Sequence, residues 1–182
     1  MRIRLRPAYD AGGLAKVYAT PHQHGVFKDH RLRVAVTIGF ASWFENVRSV
    51  ADLSAGDATI INAIDAPIKY IGDFAPGYEL TGSIQETIEK IPVVDLFICS
   101  ETIEHMDDPD ATLKLIRAKT RALILTTPIG ENNDGNPEHY WGWDTHDIRA
   151  MLVSAGFTPV ISTTLHFDDP SMVYDYQLWG CI

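Results

Sequence analysis

The stretch Val93-Val94-Asp95-Leu96-Phe97-Ile98-Cys99-Ser100-Glu101-Thr102-Ile103-Glu104-His105-Met106-Asp107-Asp108-Pro109 decides the architecture. Its first seven residues form an apolar run, the pattern of a strand covered on both faces. A polar turn follows. Pro109, whose fixed φ suits the first turn of a helix, then opens a helix expected to run to about Lys119. Working outward, the same alternation recurs on both sides. Residues 49–53 read as a strand, Ser54-Ala55-Gly56 as a small-residue turn and 58–64 as a helix. Strands are expected at 68–71 and 78–81, then a helix over 83–90. Ser83 and Glu86 stand at capping-box spacing at its start. Downstream come a strand at 122–127, a long polar loop over 128–142 and a helix over 144–155 with Gly156 behind it. Two closing strands, 158–167 and 174–181, flank Asp168-Asp169-Pro170-Ser171. Strands separated by helices imply an α/β fold with a mostly parallel sheet, helices on both faces and an antiparallel C-terminal strand pair.

The N-terminal part is different. Arg2-Ile3-Arg4-Leu5-Arg6 alternates charged and apolar residues before Pro7, as an edge strand or extended arm would. Residues 10–19 and 27–44 read as helices. Charge separates the two parts. Residues 1–48 hold eight basic against three acidic residues, +5, whereas the remainder holds seven against 21, −14. Such asymmetry marks either a partner-binding end or an arm that packs on an acidic body. The total of −9 disfavours non-specific binding to nucleic acid or membrane surfaces. A chain with 46% hydrophobic and 21% charged residues has the profile of a globular domain, which excludes disorder. Two cysteines, Cys99 and Cys181, are too few for a disulfide scaffold and lack zinc-ligand spacing. No apolar run is long enough to span a bilayer, and no signal-like segment follows the basic start, so a cytoplasmic setting is expected.

In open parallel sheets, ligands bind outside the carboxyl ends of the strands. The residues at those ends are Asp52, Ser54, Ala55, Gly56 and Asp57 after the first of them, Asp73 after the second, Ser83 and Ile84 after the third, and Ser100 and Glu101 after the fourth. Acids at both ends of the first turn suit a cationic or amine-bearing ligand better than a pyrophosphate. Asp73 stands where a carboxylate can accept both hydroxyls of a ribose.

The Asp95–Pro109 stretch, with its Glu-x-x-x-His-x-x-x-Pro turn, resembles class I S-adenosylmethionine-dependent methyltransferases. The helix Asp144-Thr145-His146-Asp147-Ile148-Arg149-Ala150-Met151-Leu152-Val153-Ser154-Ala155-Gly156-Phe157 resembles the same family's helix before its last strand pair. The resemblance covers about residues 48–182. It implies a Rossmann-like, seven-stranded domain there, with residues 1–47 as an N-terminal extension capping the substrate side. It implies S-adenosylmethionine as cofactor. The turn from Asp52 to Gly56 would lie under the methionine part, Asp73 on the ribose, Ser83 and Ile84 at the adenine, and Ser100 and Glu101 at the methionine end. Two departures stand out. Ser54, Gly56 and Ala58 occupy places where the family usually has glycines, and Ser83 stands where an acid is usual.

The segment around Tyr18-Ala19-Thr20-Pro21-His22-Gln23-His24 and Asp29-His30-Arg31-Leu32-Arg33-Val34 resembles small methyltransferase-like proteins of actinobacterial phages. Its His22, His24, His30 and Arg33 are candidate substrate-binding residues. The three histidines could hold a metal, but loop histidines more often cap or bind substrate, and no metal is expected. Tyr140, Trp141 and Trp143 could form a stacking lid, one tryptophan serving as core. His139 is the candidate general base and His105 the second candidate, imidazole being suited to neutral pH. The expected reaction is methyl transfer to an O or N nucleophile of a small or modified substrate. Two alternatives remain: an inactive binding protein on this scaffold, or a nucleic-acid-modifying enzyme. The second is disfavoured, because Thr126-Thr127-Pro128-Ile129 is no amino-methyltransferase motif and Cys99 lies in no Pro-Cys pair. Oligomeric state is not legible.

Overall fold

The computed structural model describes residues 1–130, 135–169, 171–172 and 174–182. Residues 131–134 of the expected polar loop and Pro170 of the expected turn lie outside the described residues. Among the described residues the order is β1 (Ile3–Arg4), α1 (Ala11–Val17), α2 (Lys28–Ala41), β2 (Ser49–Asp52), α3 (Thr59–Ala63), β3 (Ile68–Asp73), β4 (Leu80–Thr81) and α4 (Ile84–Thr87). There follow β5 (Val94–Ser100), α5 (Pro109–Lys119), β6 (Thr120–Ile129), β7 (Trp141–Gly142), α6 (Thr145–Ser154), β8 (Pro159–Leu165) and β9 (Asp175–Cys181).

Seven strands form one sheet in the order β4-β3-β2-β5-β6-β9-β8. β2 to β6 run parallel, while β9 is antiparallel to both β6 and β8. This is the expected α/β architecture. β5 lies at its centre because its side chains are apolar on both faces. Leu96 and Ile98 point into a core with Val50, Ile60, Ile61, Phe40 and Leu178. Phe97 and Cys99 point into the opposite core with Leu113, Ile116, Ile148, Leu152 and Trp143. The period of two along a strand sends alternate residues to opposite faces.

β6 runs longer than its expected 122–127, since β5 pairs along one edge and β9 along the other. The loop is correspondingly shorter than 128–142. Its last residues are β7, which pairs antiparallel with β1, Ile3 opposite Gly142 and Arg4 opposite Trp141. The capping box of Ser83 and Glu86 forms as its spacing predicts. A second one joins Asp144 and Asp147.

α2 attaches the N-terminal arm to the sheet in an unusual way. Its buried stripe includes Asp29, Arg33 and Thr37, spaced four apart, beside Val34, Phe40 and Ala41. Residues at this spacing lie one above the other on a helix. The Arg33 guanidinium donates to Ser100 Oγ at the end of β5, and Thr126 Oγ1 of β6 lies 3.5 Å away. Tyr176 Oη of β9 donates to Asp29 Oδ2 at 3.1 Å.

Two outcomes are expected. Replacing Gly72 with Ala places a Cβ 2.6 Å from the Leu80 carbonyl oxygen of the paired strand. This should cost about 2 kcal/mol in urea unfolding, as overpacking does; an unchanged midpoint would show that β4 does not lie against β3 this closely. Arg33→Met should cost about 3 kcal/mol, because it strips partners from buried polar groups. A loss below about 0.5 kcal/mol, the range of ordinary surface changes, would mean that α2 is held by its apolar residues alone.

Candidate functional site

A cavity of about 550 Å³ opens at the carboxyl ends of the parallel strands. Its floor is made by the residues after β2, β3 and β5. The N-terminal arm walls it with Tyr9, Tyr18, His22 and Phe27, and the segment before β7 with Glu138, His139 and Tyr140.

One end is built on the turn after β2. Gly56 takes φ +55°, in the left-handed region, and its N–H donates to Asp73 Oδ2 at 2.7 Å. Ala75 N donates to the other oxygen, Oδ1, at 2.8 Å, and Ala55 N donates to Gly72 O at 3.0 Å. The β2 and β3 ends are thereby locked together. A Cβ on Gly56 would lie 2.8 Å from His22 O, so only glycine fits under the arm here. Ala58 also takes a left-handed conformation, φ +59°, which costs a residue with a Cβ. Burial pushes the Asp73 carboxyl above its ordinary range, against two N–H donors that pull it down. Each of its oxygens keeps a further lone pair for a ligand. Ser83 and Ile84 stand at the start of α4 on the same wall.

The other end lies beyond Ser100. Glu101 has φ +52°, and two bonds to one residue hold it there: Glu101 N donates to Thr126 O at 2.9 Å, and Thr126 Oγ1 donates to Glu101 Oε1 at 3.1 Å. Burial raises the Glu101 carboxyl, while Arg33 (Nε 4.0 Å away) and His139 pull it down. His105 Nδ1 lies 2.9 Å from the Glu138 carbonyl oxygen, so this nitrogen carries the proton and donates. Burial lowers the His105 imidazole to about 3. The His139 ring packs edge-on against it, centroids 4.8 Å apart.

The arm's histidines cluster above the first end. His22 Nε2 lies 3.3 Å from His30 Nδ1, and His24 Nε2 lies 3.3 Å from Ala55 O. Burial, then the Arg33 charge, lowers all three, His24 and His30 to about 4. They are neutral at pH 7. The arm's histidines therefore add no charge to the cavity.

Most of the expected residues converge on this cavity: Ser54, Gly56, Asp73, Ser83, Ile84, Ser100, Glu101, His22, His24, His30, His105, His139 and Tyr140 line it. Others stand outside its wall. Asp52 is buried, accepts from Ser54 N at 3.1 Å and is pushed up to about 7 by burial. Ala55 is core, and Asp57 accepts from His24 N at 3.1 Å. Arg33 is fully buried beneath the cavity rather than presented to it. Trp143 is core, its Nε1 donating to Thr127 Oγ1 at 3.1 Å. Trp141, expected to face the site, is turned outward by the β1–β7 pairing and lies under the Arg2 and Arg4 guanidinium groups at 4.1 and 4.7 Å. Sequence reasoning missed the aromatic wall of Tyr9, Tyr18, Phe27 and Tyr174, and it missed Glu104. The Glu-His pair at a strand end was the available signal for Glu104.

No protein-family model and no curated protein sequence matches the chain. Solved structures do. The N-methyltransferase NodS from Bradyrhizobium japonicum WM9, in complex with S-adenosylhomocysteine, superposes with a TM-score of 0.69 at 10% identity, covering 93% of this chain and 96% of its own. Magnesium protoporphyrin IX methyltransferase from Synechocystis PCC 6803, with bound S-adenosylhomocysteine, gives 0.62 at 15% identity and 94% of each chain. The [4+2]-cyclase SpnF gives 0.67 at 11% identity, covering 98% and 97%. The chain thus has the Rossmann-like fold of the class I S-adenosylmethionine-dependent methyltransferases.

Proposed function

We propose that the chain is an S-adenosylmethionine-dependent methyltransferase acting on a small or modified substrate through an oxygen or nitrogen atom. The observation that carries this reading is the shape of one cavity. The Gly56 turn and Asp73 stand at one end, the Glu101, His105 and His139 group at the other, and β5 joins them through Ser100. The volume lies within the range of small-molecule pockets, roughly 300–1,000 Å³. The residues present fit the cofactor. Asp73 would accept the ribose hydroxyls, Ile84 would pack on the adenine, and the turn over Ser54 and Gly56 would border the methionine part. Asp52, Ala55 and Asp57 would act by shaping that turn. The Asp73 and Glu101 carboxyls, beside arm histidines that burial keeps neutral, also suit a sulfonium and an amine.

When bound, the cofactor supplies an activated methyl group on sulfur. The chain's task is to hold the acceptor in line with it and keep water out. Residues 1–47 would close the substrate side with Tyr9, Tyr18, His22 and His30. Arg33 would act indirectly, by seating α2, and Tyr140 would hold the arm through the Tyr9 N–H that its hydroxyl accepts at 3.1 Å. Trp141 and Trp143 would brace the segment that carries His139. His139, with His105 behind it, would handle the acceptor's proton.

The arm's charges favour a small substrate over nucleic acid. Arg2 pairs with Asp110 and Arg4 with Asp107, both at 2.5 Å, and Lys28 pairs with Asp169 at 3.2 Å. These cations are engaged within the chain. Among the described residues no helix is long and apolar enough to cross a membrane, and the proposed setting is the cytoplasm. The cyclase among the structural neighbours supports a second reading, a different chemistry or simple binding on the same scaffold.

Asp73→Ala should weaken S-adenosylhomocysteine binding by about 10-fold to 100-fold in calorimetry, the loss of hydrogen bonds to a charged group. Unchanged affinity overturns the ribose assignment. With methyl-labelled cofactor and a small-molecule extract, label should enter a product. His139→Ala should slow that transfer by about 100-fold or more, with S-adenosylhomocysteine affinity kept. A folded, cofactor-binding protein that labels nothing would favour the second reading.

A further inference from the structure

Behind the acceptor end of the cavity lies a group of side chains that methyl transfer by imidazole alone does not require. One ligand-capable atom from each of Glu104, His105 and His139 lies within 4.8 Å of the other two. We propose that these three residues form a binding site for a divalent first-row transition cation, Mn²⁺, Co²⁺ or Zn²⁺ in class, open on one side to the cavity.

Four observations carry it. First, the spacing is close to that of a coordination sphere. Ligands about 2.1 Å from one ion lie at most about 4.2 Å apart, so small side-chain movements close the set. Second, the donors are matched to such a cation, two imidazoles and a carboxylate. Third, the groups behind the donors already aim them. His105 donates from Nδ1 to the Glu138 carbonyl, which leaves the Nε2 lone pair facing Glu104 Oε1 at 3.8 Å. Glu104 is fully buried, and its Oε2 accepts from Thr127 Oγ1 at 3.0 Å. Thr127 Oγ1 in turn accepts from Trp143 Nε1 at 3.1 Å. Partners of this kind fix the tautomer and orientation of metal ligands. Fourth, the two segments that supply the donors are joined. Tyr140 N donates to the Glu104 carbonyl oxygen at 2.8 Å, which holds His139 over the Glu104-His105 turn.

His105 and His139 line the cavity beside Glu101, so the remaining coordination positions face the space where an acceptor would sit. Three protein ligands with an open side is the arrangement of a working rather than a structural ion. Such an ion would bind a hydroxyl directly and draw charge from it, its proton leaving to water in the cavity. That narrows the acceptor from oxygen or nitrogen to an oxygen, and this step rests on the methyl-transfer reading. The ion site itself does not. It also changes the part played by His139, from base to ligand.

The test begins with the full chain stripped by a chelator and titrated with MnCl₂, CoCl₂ and ZnCl₂ in separate calorimetric runs. One equivalent of at least one cation should bind, with Mn²⁺ binding visible as loss of the free-ion electron paramagnetic resonance signal. His139→Asn and Glu104→Gln should each weaken that binding at least 10-fold, and wild type alone should gain thermal stability from the ion. Circular dichroism checks that the variants fold, and His105→Ala serves if either does not. Failure of all three cations to bind, or equal binding by folded variants, overturns the proposal. S-adenosylhomocysteine titrated in parallel separates the two claims. A chain that binds a cation through these residues but no S-adenosylhomocysteine supports the site and sinks the cofactor reading. One that binds S-adenosylhomocysteine but no cation does the reverse.

Discussion

A buried guanidinium organises this molecule. Arg33 has no exposed surface, and taking its charge out of water costs several kcal/mol unless its donors are satisfied. Ser100 Oγ, Thr126 Oγ1 and His24 Nδ1 surround its terminal nitrogens, and the Glu101 carboxylate lies 4.0 Å from Nε. Those partners come from β5, from β6 and from the loop before α2. One side chain therefore ties the arm to the carboxyl ends of two central strands. His24 is carried with it onto the turn after β2, where its ring meets Ala55 O and its backbone N–H meets Asp57. The arm's position over Gly56, and with it the roof of the cavity, follows from where Arg33 is anchored.

The same charge sets the electrostatics above it. Arg33 adds to burial in holding His22, His24 and His30 uncharged. An arm with a formal +5 thus presents a largely neutral inner surface. Two of its other cations turn away, Arg2 and Arg4 to Asp110 and Asp107. Part of the positive segment thus pairs with the acidic body, through Arg2, Arg4 and Lys28, and the Asp73 and Glu101 carboxyls face the cavity. A ligand carrying positive charge on sulfur and nitrogen suits that field better than an anion does.

Much of this was legible in the sequence because it depends on local pattern. The unbroken apolar run of β5 announced a strand covered on both faces. Ser83 and Glu86 announced their capping box, and Asp73 was placed at a strand end by counting. What was not legible depends on contacts between distant segments. Arg33 read as a substrate-binding residue, and it is the partners Ser100, Thr126 and His24, with Tyr176 on Asp29, that make this face of α2 a buried one. Trp141 read as part of a lid until the pairing of β1 with β7 turned it outward beneath two arginines. Glu104 and His105 are neighbours in the chain, but His139 joins them through two long-range bonds, Tyr140 N to the Glu104 carbonyl and His105 Nδ1 to the Glu138 carbonyl.

Of the three non-glycine residues with positive φ among the described residues, Asn46 lies in the turn before β2, and the other two lie where these contacts meet. Glu101 and Ala58 both take left-handed conformations that cost a non-glycine residue energy. At Glu101 the return is visible. The conformation turns the chain sharply at the end of β5, so that Ser100 serves Arg33 below while Glu101 and His105 reach the cavity above. A glycine there would relax the backbone but lose the carboxylate that both Arg33 and His139 feel. At Ala58 the side chain carries no polar group: it is buried in the core, closes the turn and begins α3 without a side-chain cap. Strain retained with a charged side chain at one end of the cavity, and without one at the other, separates a position held for its chemistry from one held for its shape.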